Sequence, residues 1–341
     1  MINTLDTLRP SRVIDITRVI ARTSPSIKTA PRGGELDAQG DQGLWAIVLA
    51  GGDGVRLRPL VSRIYGDGRP KQYAALLESR SLLHQTLDRV ALLVSPGRTV
   101  VVAMQDHERY MAAELQGSSA PHVLWQPQNR GTAAGVLLPA HWIHARDPRA
   151  VVTVFPSDHF VREEIAFMGY VAEVVKFVTR HPEWIVLLGV QPTEAETEYG
   201  WIEPGERVGW MTRGPLYRIR RFVEKPSSEV ASALLSGGGL WNTFVFVASV
   251  STLIRAGREC IPDLDARLTR VAAFAGSEHE AWAIRHAYAL APRANFSRSV
   301  LALCPRPLAV AKTPGLMWCD LGTPARVART LTTLGVSPPW S

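Results

Sequence analysis

The sequence predicts an α/β fold in three layers: an open, mostly parallel mixed sheet with helices on both faces. Three observations predict it. Short apolar runs alternate with longer amphipathic stretches from Trp45 onward, the order in which strands and crossover helices build such a sheet. Several of the apolar runs are hydrophobic at every position, as parallel strands are when helices cover both of their faces. Glycine-rich or polar segments follow four of the strands, at the carboxyl ends where an open α/β sheet collects its ligand.

The strands expected in order are WAIVLA (45–50), TVVVAM (99–104), VVTVF (151–155), WIVLLGV (184–190), LYRIRRFV (216–223) and TFVFVA (243–248), with HVLW before residue 126. Helices are expected over 79–93, 107–115, 132–146, 162–180, 228–235, 250–258, 263–275 and 323–334. No repeat or linker interrupts residues 45–335, which read as one compound domain. Residues 1–42 are rich in Arg, Ser and Thr with the turn formers Pro25, Pro31, Gly33 and Gly34, and read as a flexible N-terminal tail. Asp6 and Asp15 argue against an organellar transit segment, which avoids acids.

A chain of 341 residues with 46% hydrophobic content has enough apolar surface for a large core, which excludes disorder for its bulk. Lys and Arg total 38 against 31 acids, a formal charge of +7 that calls for an acidic partner. Nucleic acid, a membrane surface or phosphorylated small molecules would suit that charge; a nucleic-acid-binding reading rests on charge alone, and no nucleic-acid partner is expected, because the tryptophans are dispersed rather than interleaved with a basic repeat. No run reaches the roughly 18 apolar residues that span a bilayer, and no membrane partner is expected. Cys260, Cys304 and Cys319 show no CxxC spacing, so neither a disulfide framework nor a zinc site is supported, and a cytoplasmic location is expected.

The segment AGGDGVRLRP after the first strand clusters Gly51, Gly52 and Gly54 ahead of Arg56 and Arg58, with Lys71 following in GRPKQ. Glycines free backbone N–H groups to curl around an anion, and guanidinium groups suit bidentate phosphate contacts. Neither familiar phosphate motif fits. A Walker A loop needs GKS or GKT, and a dinucleotide fingerprint begun at Gly52 meets Leu57 at its third glycine. Taken alone, the glycine turn serves equally as a tight strand-to-helix connection.

The segments GGDGVRLRPL, PKQ, WQPQNRGTAAG, FPSDHF, TEYGWIEPG, FVEKP, LWNTFVF and WCDLG follow one another in this order. Together they resemble the sugar-1-phosphate nucleotidyltransferases over about residues 45–330, and PQNRGTAAG with PSDH and WNTFVF is most similar to the bacterial mannose-1-phosphate guanylyltransferases. The resemblance implies a Rossmann-like nucleotide-diphospho-sugar transferase fold and a catalytic domain over 43–335. It implies transfer from a nucleoside triphosphate, GTP, to a sugar-1-phosphate, mannose-1-phosphate, giving GDP-mannose and pyrophosphate. Another hexose phosphate or nucleotide, or a non-catalytic regulatory relative, is the alternative. Val55 departs from the family, which usually has Thr or Ser there. Retention of Arg56, Lys71, Asp158 and Asp320 argues for catalysis.

By the same resemblance Ala50, Gly51, Gly52, Gly54, Arg56 and Lys71 hold the nucleotide phosphates, and Gln126, Asn129, Gly131 and Thr132 face the base and ribose. Arg56, Lys71 and Asp158 are the expected catalytic set. Asp158 and Asp320 are expected to share Mg²⁺, a hard ion that takes oxygen ligands. Gly200, Glu224, Lys225 and Asn242 are expected at the sugar phosphate; NFSRSVL (295–301) resembles the family without an assigned role. His159 reads as structural or substrate-adjacent, and His141 and His144 as surface or core histidines without a metal partner. Arg218, Arg220 and Arg221 read as an exposed edge strand or a subunit contact, leaving a homo-oligomer open. The chain ends soon after WCDLG and its helix, so an isomerase extension is not expected.

Overall fold

The computed structural model describes residues 43–115, 120–304, 307–338 and 340; the tail expected over 1–42 lies outside them. Among the described residues eleven strands run in chain order as β1 (Leu44–Ala50), β2 (Thr99–Met104), β3 (His122–Gln126), β4 (Val151–Pro156), β5 (Phe160–Val161), β6 (Ile185–Val190), β7 (Gly200–Met211), β8 (Gly214–Glu224), β9 (Leu240–Ser249), β10 (Leu308–Lys312) and β11 (Trp318–Cys319). The helices are α1 (Arg58–Tyr65), α2 (Leu82–Ala91), α3 (Glu108–Glu114), α4 (Thr132–Arg146), α5 (Glu164–Arg180), α6 (Ser228–Ser236), α7 (Val250–Cys260), α8 (Pro262–Ala272), α9 (Glu280–Leu290) and α10 (Pro324–Leu334).

Continuous hydrophobicity in the strands has the expected consequence. β2, β4 and β6 are buried at every position. Alternate residues go to opposite faces: Trp45 and Ile47 join the core beneath α4, α7, α8 and α9, while Ala46 and Val48 join the core beneath α2 and α5. A third, smaller core gathers α1, the 74–82 segment and α10. Among the described residues no helix is long and apolar enough to cross a membrane.

The main sheet runs β3-β2-β1-β4-β9-β6-β10-β8-β7. β1 to β4 are mutually parallel neighbours, as are β6 and β10, whereas β9 inserts antiparallel between β4 and β6. The chain passes from β1 outward to β2 and β3, then returns to β4 on the other side of β1. That reversal opens a crevice over the carboxyl ends of β1 and β4, where such sheets bind ligands. A separate ribbon pairs β5 with β11 through Phe160 to Cys319 and Val161 to Trp318. Two short strands thus bring the PSDH and WCDLG segments together.

β5, β7, β10, β11, α1 and α9 have no counterpart among the expected elements. β7 carries Pro204, Gly205 and Gly209 with three register shifts against β8, which breaks the alternation a strand would show. The basic strand is β8, and it is not an edge: β10 and β7 flank it. Its arginines are exposed and pair across the hairpin, Arg218 with Glu206 at 2.9 Å and Arg220 and Arg221 with Glu203 at 3.2 Å each. His141 is a core histidine, its Nε2 lying 2.8 Å from Asp265 Oδ1.

Candidate active site

A cleft of about 670 Å³ lies over the β1/β4 crevice. Twelve of the residues singled out from the sequence line it: Gly51, Gly52, Arg56, Gln126, Asn129, Gly131, Thr132, Asp158, Gly200, Glu224, Asn242 and Asp320. Gly54 and Lys71 line a smaller cavity that shares Arg56 and Asp158 with it. Lys225 lies outside both linings, and its ammonium meets Glu198, a cleft residue, at 3.3 Å. Ala50 is fully buried at the end of β1 and offers only its backbone.

The glycine loop is shaped from beneath. Gln72 donates through Nε2 to the carbonyls of Ala50 (2.8 Å) and Gly52 (2.9 Å), so PKQ ties the loop as well as charging it. Gly54 takes φ +58° with the Lys71 backbone so close that a Cβ would stand 2.9 Å from its nitrogen. Only glycine accepts both conditions without strain. Val55 follows at the head of a short 3₁₀ turn with 62% of its surface exposed. Its isopropyl group makes no core contact that a hydroxyl would forfeit.

Lys71 is the cation beneath the cleft. Its Nζ donates to the Asp320 carbonyl at 2.6 Å and lies 3.1 Å from Asp158 Oδ2, while most of its side chain is buried. Ser157, just before Asp158, donates through both N–H and Oγ to the Leu49 carbonyl (3.1 and 2.7 Å), which locks the ends of β4 and β1 together.

Asp320 is more heavily bonded. Its Oδ1 accepts from the Tyr199 hydroxyl (3.1 Å), the Gly322 N–H (2.8 Å) and Arg326 (3.0 Å), and its Oδ2 accepts from Arg326 at 3.1 Å. Burial pushes the Asp320 carboxyl up, but Lys71, Arg326 and the Gly322 amide together hold it below its ordinary value. Arg326 also grips Glu196 at 2.6 Å and stacks over the Tyr199 ring. Burial lowers the His159 pKa, against the pull of Asp158, and favours the neutral ring.

Across the cleft, Arg56 and Lys225 converge on one oxygen. Glu198 Oε2 lies 2.8 Å from Arg56 and 3.3 Å from Lys225, joining the phosphate side to the sugar side. All three side chains are nearly half exposed, so the bridge is worth only about 0–1 kcal/mol and a phosphate can displace it. Glu224 stands beside Gly200, and burial pushes its carboxyl up. Lys225, Phe244 and Leu321 are the non-glycine residues with positive φ among the described residues. Each belongs to a segment bordering the cleft, at a backbone cost of order 1–3 kcal/mol apiece that functional sites commonly carry.

The QPQNRGT loop holds the far end. Asn129 accepts the Gly131 N–H at Oδ1 (2.9 Å) and donates to Asp53 (3.1 Å), latching this loop to the glycine loop. Gly131 takes φ +84°, and a Cβ on it would lie 2.2 Å from the Ala294 carbonyl oxygen. α4 starts at the next residue with no side chain capping its N-terminus; the Ala133 N–H donates instead to the Ala294 carbonyl at 3.1 Å, and Gly131 and Thr132 line the cleft at the positive end of the helix dipole. Thr132 Oγ1 accepts from the Phe296 N–H at 2.8 Å, and Ser297 lines the cleft, which brings in the NFSRSVL segment.

Asp53, Gln72, Glu198, Tyr199, Tyr288 and Arg326 were absent from the sequence reading. Asp53, Gln72, Glu198 and Tyr199 stand inside quoted motifs, so their neighbours were a usable signal; Tyr288 and Arg326 had none.

Glycine loop, helix N-terminus, paired cations and carboxylates thus gather in one cleft over the parallel strands of an α/β sheet. Residues 45–332 match the model of the nucleotidyl transferase family, and the chain belongs to that family. It is 34% identical over 220 residues to the Xanthan biosynthesis protein XanB of Xanthomonas campestris pv. campestris strain B100, covering 63% of this chain and 44% of that one. It is 30% identical over 285 residues to a mannose-1-phosphate guanylyltransferase of Sinorhizobium fredii, covering 81% and 52%. The chain thus spans about half the length of the curated relatives it matches. A crystal structure described as mannose-1-phosphate geranyltransferase, from Thermus thermophilus, superimposes with a TM-score of 0.71 at 32% identity, covering 82% of this chain and 76% of that one.

Proposed function

We propose that the chain transfers a nucleotidyl group from GTP to mannose-1-phosphate, giving GDP-mannose and pyrophosphate. One observation carries the reading. A single cleft collects a phosphate-type glycine loop with Arg56 at one end, hydroxyl-accepting Glu224 and Asn242 at the other, and the carboxylates Asp158 and Asp320 with Lys71 at its floor. The mannose-1-phosphate guanylyltransferases among the relatives support the choice of substrates.

In this reading the loop at 50–54 holds the triphosphate, and Arg56 exchanges Glu198 for a phosphate oxygen. Gln126, Asn129, Gly131 and Thr132 form the base and ribose end. Gly200, Glu224, Lys225 and Asn242 receive the sugar phosphate, with Glu198 released to let Lys225 turn toward it. A phosphate oxygen of the sugar phosphate attacks the α-phosphorus in line, and the bond to the bridging oxygen of pyrophosphate breaks. A phosphomonoester is largely dianionic near pH 7, its second pKa being about 6, so no general base is needed. The enzyme's work is to hold two polyanions together against their repulsion.

The residues fit Mg²⁺. Asp158 presents a partly exposed carboxylate, and Asp320 Oδ2 keeps accepting capacity that Oδ1, with three donors, has spent. Among the described residues no group of three or more His, Cys, Asp or Glu side chains gathers to hold a metal. Two carboxylates suit an ion that keeps waters and phosphate oxygens in its shell. When bound it would neutralise phosphate charge as the displacement proceeds.

Pyrophosphate release, assayed over a matrix of nucleoside triphosphates and sugar-1-phosphates with and without Mg²⁺, tests the reading. Turnover is expected with GTP and mannose-1-phosphate and only with the metal. Turnover solely with UTP or dTTP would overturn the guanylyl assignment, and no turnover with any pair would leave a binding protein instead.

A further inference from the structure

We infer that Tyr288 is a positioning residue for base selection: it fixes the amide of Gln126 so that its NH₂ group faces the base, which favours a base with a carbonyl there over one with an amino group. The inference rests on the nucleotidyl-transfer reading of the cleft and adds a residue remote from it in sequence.

Gln126 ends β3, is 5% exposed and lines the cleft. The Tyr288 hydroxyl, from α9, lies 3.0 Å from its Oε1. Tyr288 is fully buried, and Gln126 is the one hydrogen-bond partner of its hydroxyl among the described residues. That decides which way round the amide sits. With Oε1 toward Tyr288 the phenolic proton is accepted; with the amide reversed, the hydroxyl would receive a bond from the NH₂ group and its own proton would be buried unpaired. The first arrangement is therefore enforced. Burial raises the Tyr288 pKa, so the hydroxyl stays a donor at any working pH.

Tyr288 itself cannot drift. Its carbonyl accepts Gln128 Nε2 at 2.8 Å and Arg130 Nε at 2.9 Å, and the next carbonyl, of Ala289, accepts Arg130 Nη2 at 2.9 Å. The loop that follows Gln126 thus clamps the end of the helix that orients Gln126. The other end of the amide lies over the glycine loop: a Cβ on Gly51 would stand 2.6 Å from Gln126 Nε2. Asn129, the neighbouring amide, is engaged at both ends by Gly131 and Asp53, which leaves Gln126 to meet the base.

An NH₂ group reads an acceptor. Guanine and hypoxanthine offer O6, whereas adenine offers an amino group at that position, so two donors would face each other. Leaving a buried donor unpaired is expected to cost at least about tenfold in affinity.

Calorimetric titration of the full chain with GTP, ITP and ATP, without sugar phosphate, reads this as binding and does not depend on turnover. The wild type should bind GTP and ITP at least about tenfold tighter than ATP. Tyr288→Phe keeps the ring packing but frees the amide to rotate, and the GTP-to-ATP ratio should fall by about tenfold. Gln126→Glu, which offers only acceptors, should reverse the preference. An unchanged ratio in Tyr288→Phe, or a wild type that prefers ATP, would overturn the inference. Selective binding of GTP and ITP by a protein that turns over no substrate pair would support it and overturn the transferase reading alone.

Discussion

Asp158→Asn should lower the rate of nucleotidyl transfer by about 10²- to 10³-fold while the protein stays folded. The side chain keeps its size and one oxygen, so β4 and its junction with the glycine loop are undisturbed. What goes is the negative charge 3.1 Å from Lys71 Nζ. Lys71 is buried and would be left with neutral acceptors, the Asp320 carbonyl and the new amide, so its ammonium at the floor of the cleft would lose the carboxylate paired with it. Asp158 is also the more accessible of the two proposed Mg²⁺ ligands, and its loss should raise the Mg²⁺ concentration needed for half-maximal rate. Arg56→Ala should cost a similar factor in rate, yet only about 0–1 kcal/mol in stability, because its bridge to Glu198 is exposed. Initial rates of pyrophosphate release beside circular dichroism separate the two effects. A wild-type rate in either variant would show that the chemistry lies elsewhere.

Arg326→Ala should destabilise the fold by about 3–5 kcal/mol at pH 7, the cost of leaving buried carboxylates without their cation. Arg326 binds Asp320 through two contacts and Glu196 through a third, and its side chain is largely buried. The pH dependence has a definite sign. Asp320 is held below its ordinary pKa in the folded protein, so its contribution is present above the unfolded carboxylate value of about 4 and is lost as pH falls through the folded value. Without Arg326 both carboxylates resist ionisation, and the deficit against wild type should be largest at neutral pH and shrink below about pH 4. Urea denaturation at both pH values measures it. Arg326→Lys should recover only part of the loss, since an ammonium lacks the planar fork that reaches two carboxylates at once. Equal deficits at neutral and acidic pH would mean that lost packing, not charge, is responsible.

Legibility in the sequence followed the range of the interaction. β1, β2, β4 and β6 could be read from continuous apolar runs because burial on both faces leaves a local mark. α4 began and ended where the sequence placed it, since Gly131 and Asp147 bound it. β7 could not be read, because its proline, glycines and register shifts erase the period of two. The cleft residues were found as motifs: the glycine loop, Asp158 and Asp320 lie just after strands, whereas Gly200, Glu224 and Asn242 lie within β7, β8 and β9. Tyr288 escaped because the side chain that its hydroxyl bonds is 162 residues away. Arg326 escaped likewise: a single arginine in an amphipathic helix looks like a solvated charge until the fold brings Asp320 and Glu196 to it. Glu198, inside TEYGW, gave no hint that it would stand between Arg56 and Lys225.

The central claim is direct transfer between two substrates held in one cleft, with no nucleotidyl group passing through the protein. Isotope exchange from labelled pyrophosphate tests it most directly. With GDP-mannose and Mg²⁺ present, label should enter GTP while an equal amount of mannose-1-phosphate is released. With GTP and labelled pyrophosphate alone, no label should enter GTP. Absence of exchange in the first mixture, or exchange in the second, would contradict the account.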